Sequence, residues 1–129
     1  MEALEIIGRE TVIECFGSWP SFHDAEVISI FLARKGQSII RIHPCYPVNP
    51  AMVDFVLEEV TDLELSGFSP QNVLFDLHIE MITDKNGNNL YRITLDDIYG
   101  IGGKVDAKLL RVELVDFKSN CTGSKPQGE

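Results

Sequence analysis

The chain has 129 residues, 44% of them hydrophobic and 24% charged, the proportions of a single globular domain and not of a disordered chain. Its 20 acidic and 11 basic residues leave a formal charge of −9. That surplus argues against nucleic acid or an anionic membrane surface as a partner, since both are met by Lys and Arg, and it suits a basic protein instead.

Apolar residues Leu4, Ile7, Val12, Ile13 and Phe16 predict a short helical head, weakened at Gly8 and stopped by Gly17. Thr11 and Glu14 have the spacing of a capping box for a second short helix. Trp19-Pro20-Ser21 reads as an irregular crossing, because Pro20 pushes Trp19 toward extended geometry. Glu26 to Ala33 is apolar and β-branched and predicts a strand buried on both faces. Arg34-Lys35-Gly36-Gln37 is a tight turn, and Ser38 to His43 returns as the second strand of a hairpin. Pro44, Pro47 and Pro50 then impose a loop.

Val53 to Val60 reads as strand or helical turn, and Thr61 to Leu65 alternates like a strand. Gly67 to Asn72 is a loop by its breakers. Val73 to Thr83 predicts a long strand with Val73, Phe75, Leu77, Ile79 and Met81 on one side. Asp84 to Asn89 is a turn built around Asn86-Gly87, and Leu90 to Leu95 pairs back. Asp96 to Gly103 reads as irregular, and Leu109 to Phe117 as the last strand, with Leu110, Val112 and Leu114 facing one way. The expected class is α+β, mainly β: an antiparallel sheet or sandwich of about six strands with one short N-terminal helix. Residues 1–118 are expected to form one domain, and residues 119–129 a flexible tail.

The three cysteines, Cys15, Cys45 and Cys121, are odd in number and widely spaced, which makes a disulfide framework improbable and favours a reducing compartment. The acidic start, Met1-Glu2-Ala3-Leu4-Glu5, lacks the basic region of a signal peptide, and the longest apolar run is too short to span a bilayer. A cytoplasmic location is the expectation.

Four groupings invite a chemical reading. His23, Asp24 and Glu26 could bind a metal or perform acid-base work, or simply shape the entry to the first strand. Asp76, His78 and Glu80, at spacing two, share a strand face that is either a relay or a wet surface. His43 and Cys45 imitate a thiol-imidazole pair with no orienting third group. Gly100 to Lys104 is not a phosphate cradle, because Val105 stands where Ser or Thr is needed. No cofactor is expected. Asp54, Glu58, Glu59, Asp62 and Glu64 lie close together with no Lys or Arg among them, a solvated face or a docking surface for a basic partner.

The segment WPSFHDAEV, the strand VISIFLAR after it and the later VTDLELSGFSPQNVLFDLHIE together resemble the immunity protein 50 family of bacterial polymorphic-toxin systems. The likeness spans Trp19 to Ile82 and is carried by Trp19, Phe22, His23, Asp24, Glu26, Gly67, Phe68 and Asn72. The resemblance implies a cytoplasmic protein that binds and blocks a cognate toxin, without enzymatic activity, and it marks these residues mostly as fold-forming. A basic nuclease is the toxin that best suits an acidic inhibitor. The competing expectations are a small metal-assisted hydrolase using His23, Asp24, His78 and Glu80, and an assembly domain self-associating through a strand edge.

Overall fold

A computed structural model describes residues 5–44 and 50–115. One helix, α1 (Arg9–Phe16), precedes six strands: β1 (Glu26–Phe31), β2 (Gln37–His43), β3 (Met52–Ser66), β4 (Val73–Thr83), β5 (Asn89–Tyr99) and β6 (Gly102–Val115). All neighbouring strands run antiparallel, in the order β1-β2-β3-β6-β5-β4, and the sheet closes on itself as a barrel. The single-sheet form of the expectation therefore holds, and no second sheet is needed to cover the core.

Closure is narrow. Glu26 is in register with Val73, and three backbone bonds flank that pair: Asp24 N–H to the Leu74 carbonyl at 2.8 Å, Leu74 N–H to that of Ala25 at 2.8 Å, and Val27 N–H to that of Asn72 at 2.9 Å. Inside, Phe22, Ile40, Phe55, Leu57, Leu74, Ile93 and Val105 are fully enclosed. Phe22 stands edge-on to both Trp19 and Phe55, with centroids 5.7 and 5.6 Å apart.

Helix α1 lies against β6 and sends Val12 into the core. It begins at Arg9, so Thr11 is already inside it and no capping box forms; Gly8 takes the N-cap place in a left-handed conformation without a side-chain cap. Glycine is required there, because a Cβ would collide with the Val112 carbonyl, and the neighbouring Ile7 carbonyl accepts the Val112 N–H at 2.9 Å. The stop at Gly17 is as expected, its N–H donating to the Ile13 carbonyl at 2.8 Å.

Several expected strand limits and faces change. β1 ends at Phe31 and is not buried on both faces: Ile28, Phe31 and Leu32 are exposed, because one side of a barrel wall always faces water. Val53 to Leu65 falls within one strand of 15 residues, with Glu59 at φ 58° and a register shift between Val60 and Asp62 breaking its alternation. In β4 the register shifts around Leu74 and Asp76, which turns Leu74 inward and leaves Phe75 outside, and Met81 is exposed as well.

Asp96 to Gly103 is not irregular. β5 runs to Tyr99 and β6 starts at Gly102, so only Gly100 and Ile101 form the turn. The glycine at 103 serves close packing: a Cβ there would strike the Glu64 carbonyl of β3. Cys15 is disulfide-bonded, against the sequence expectation; wide spacing along the chain does not keep thiols apart in a fold, and one bridge needs only two of the three. Cys45, Cys121 and the expected tail at 119–129 lie outside the described residues. No described helix is long and apolar enough to cross a membrane.

Candidate partner-binding face

The five β3 carboxylates do not share one environment. Asp54, 4% exposed, is gripped by Arg41 of β2 through Nε to Oδ1 at 2.8 Å and Nη2 to Oδ2 at 2.9 Å. That bond raises the Arg41 guanidinium above its ordinary pKa, with burial opposing. Glu58 is half-buried and accepts from Arg111 of β6 at 3.3 Å and from Gln37 at 3.2 Å. Glu59 is exposed, 3.7 Å from Lys108. Asp62 is exposed and accepts from Lys104 at 3.0 Å, the main reason its pKa falls. Glu64 is exposed, with no ion pair among the described residues. Sequence separation hid these cations, since Arg41, Lys104, Lys108 and Arg111 come from flanking strands.

Outward side chains continue from β3 across the wall in rows. Asp62, Asp106, Arg92 and Glu80 form one row through β3, β6, β5 and β4; Glu64, Lys104, Thr94 and His78 form the next. Two residues beyond, Asp76 of β4 stands opposite Asp96 of β5. Asp76, His78 and Glu80 do share one outer face, with His78 Nε2 3.3 Å from Asp76 Oδ2. Asp76 Oδ1 also accepts the Leu77 backbone N–H at 2.8 Å.

The residues of the hydrolase alternative do not converge. His23 Nδ1–H donates to the Phe75 carbonyl at 2.8 Å, and its ring meets Phe75 edge-on with centroids 5.2 Å apart. Its Nε2 lies 3.7 Å from Asp24 Oδ2, on the exposed rim, while His78 answers to Asp76. Among the described residues no three His, Cys, Asp or Glu side chains are arranged to hold a metal ion. His43 is buried, and Cys45 lies outside the described residues.

The segment around Trp19 instead shapes the barrel mouth. Phe22 and Asp24 both take positive φ, 62° and 68°, so the chain turns sharply and Phe22 drops into the core. Buried Asn72 ties two loops together. Its Oδ1 accepts the N–H groups of Ser69 and Ile101, both at 3.0 Å, and its Nδ2 donates to the Ser69 carbonyl at 2.6 Å. Gly67 packs against Gly100, and Glu26 sits in register with both His43 and Val73. Phe68 is exposed and, with Ile28, lines an open hollow of about 270 Å³ beside Glu26.

The family model for Immunity protein 50 matches residues 8–117, which takes in the helix and all six strands. The chain belongs to the Immunity protein 50 family. The match extends past both ends of the Trp19–Ile82 stretch that carries the resembling motifs, so the Immunity protein 50 domain includes α1 and β6. No curated protein matches the chain. No solved structure matches it either. Membership gives an immunity-protein role and, with it, a toxin partner in general terms. The outward exposure of Phe75, Asp96 and Tyr99 was not legible in the sequence. A strand pattern gave no sign of the bulge that exposes Phe75, and Asp96 and Tyr99 fell in a stretch read as loop.

Proposed function

We propose that this protein neutralises a cognate toxin by binding it, without turnover of its own, and that the toxin is basic, a nuclease being the class that fits best. Family membership over residues 8–117 is the observation that carries this reading. The acid surplus supports the charge of the partner: 20 acidic against 11 basic residues give a field that draws a cationic protein toward the complex. On β3 the exposed Glu59, Asp62 and Glu64 belong to the surface offered, while Asp54 and Glu58 act from beneath by fixing Arg41 and Arg111. The cytoplasm is where such a protein meets a toxin that attacks nucleic acid.

Co-expression tests the reading. Cells producing the cognate toxin should stop growing, and the same cells producing this protein as well should grow. Continued arrest with both proteins present, at matched levels, contradicts neutralisation. If the toxin is a nuclease, plasmid degradation by the purified toxin should cease at one equivalent of this protein.

A further inference from the structure

Three pairs of carboxylates stand directly opposite one another on adjacent strands: Asp54 with Glu113, Asp62 with Asp106, and Asp76 with Asp96. Like charges so placed repel and destabilise a sheet. The first pair is held by Arg41 on Asp54 at 2.8 Å and Arg111 on Glu113 at 2.9 Å. The second is held by Arg92 on Asp106 at 2.8 Å and Lys104 on Asp62 at 3.0 Å. The third has no Lys or Arg among the described residues; Asp76 has the His78 imidazole at 3.3 Å, and Asp96 has no side-chain partner among the described residues. Lys104, on the adjoining row, reaches the other way, toward Asp62 and Asp106.

The third pair also sits beside exposed apolar side chains. Phe75, next to Asp76, is 52% exposed because the register shift turns it out, and Tyr99, in register with Val73 beside it, is 56% exposed. Ile98 is exposed near them. Carboxylates next to partly exposed rings are the counterpart of a long cationic side chain, whose head is charged and whose stem is apolar.

We propose that this end of the β4–β5 ladder, with Asp76 and Asp96 beside Phe75 and Tyr99, is the docking site for a lysine or arginine side chain on the surface of the toxin. The proposal rests on the neutralisation reading and places its contact. Charge selects the occupant. A second copy of this chain would bring another −9 to an already unneutralised acid pair, and nucleic acid or an anionic membrane would bring phosphate. A basic protein surface supplies the missing cation and covers the rings.

The experiment is a calorimetric titration of the full chain with its cognate toxin, inactivated by mutation, with melting midpoints of each free variant. Asp76→Lys and Asp96→Lys should each weaken the complex by about 30-fold or more. Free Asp96→Lys should melt about 2–4 °C above the wild type, because the repulsion is relieved. Glu10→Lys, on the exposed side of α1, should bind within about 3-fold of the wild type. Wild-type affinity in both aspartate variants overturns the docking site while leaving neutralisation intact. Equal weakening by Glu10→Lys, or a lowered melting midpoint accompanying the loss in Asp96→Lys, also overturns it. Absence of any complex with the wild type overturns the site and the neutralisation reading together.

Discussion

Arg92 and Asp106 meet across the β5–β6 ladder through two parallel hydrogen bonds, Nε to Oδ1 at 2.8 Å and Nη2 to Oδ2 at 3.0 Å. Asp106 is 3% exposed yet lies on the outer wall, covered by the arginine that neutralises it. Replacing Asp106 by Ala removes both bonds and leaves Arg92 and Lys104 without their shared acid. The expected loss is about 1.5–3 kcal/mol, below the usual figure for a broken buried pair because Arg92 can turn to water. Urea denaturation of Asp106→Ala against the wild type measures it, and an unchanged midpoint contradicts the role given to the pair.

Acid should unfold the protein through a small set of carboxylates. Arg92 holds Asp106 below the ordinary carboxylate range, Lys104 does so for Asp62, and the Asn88 backbone N–H does so for Asp84. A depressed folded pKa gives stability that is fully present above the unfolded value, about 3.9 for Asp, and is lost as pH falls through the folded value. The melting midpoint should therefore stay level from neutral pH down to about 5 and fall steeply below about 4. Lys104 is raised by Asp62, so its contribution is complete below about 10.4 and fades only as pH rises past that. Asp106→Asn should soften the acid limb, and an identical acid limb in that variant would count against the assignment.

Much of this could be read along the chain. β4 begins and ends where its alternation begins and ends, and the Asn86-Gly87 turn is where the tip of the β4–β5 hairpin lies. What stayed hidden depends on distant partners. Gly102 and Gly103 look like loop residues, but they lie in a strand because the Asp97 side chain and the Glu64 carbonyl leave no room for a Cβ. β3 looks like two segments because Glu59 and the shift near Thr61 interrupt its period, not its hydrogen bonding. Asp54, Glu58, Glu59 and Asp62 of β3 look unneutralised because their cations arrive from β2 and β6. Asp76 and Asp96, which have no Lys or Arg partner among the described residues, carried no local mark, since facing each other is a matter of register.

Asn72 should matter more than its loop position suggests. Asn72→Ala strands the Ile101 N–H in a buried place and frees the loop that carries Phe68. A loss of about 2–3 kcal/mol is expected. Hydrogen exchange should localise the change, with faster exchange at Ser69 and Ile101 and little change in β2. Uniform acceleration throughout the barrel would contradict the account of Asn72 as a tie between two loops.

Gly8 should tolerate no side chain. Its φ of 91° and its approach to the Val112 carbonyl both exclude one, so Gly8→Ala should cost about 2–3 kcal/mol, chiefly by lifting α1 and the Ile7 bridge from β6. Loss of Val12 from the core should accompany it, visible as chemical-shift changes at Val12 and Leu110. A wild-type melting midpoint in Gly8→Ala would mean the helix does not sit as described.

The most direct test is the salt dependence of the complex between this protein and its inactivated cognate toxin. If an acidic barrel wall recognises a basic toxin, the dissociation constant should rise by about ten-fold or more between about 50 and 500 mM NaCl, mainly through slower association. A dissociation constant that stays level across that range would contradict recognition by charge.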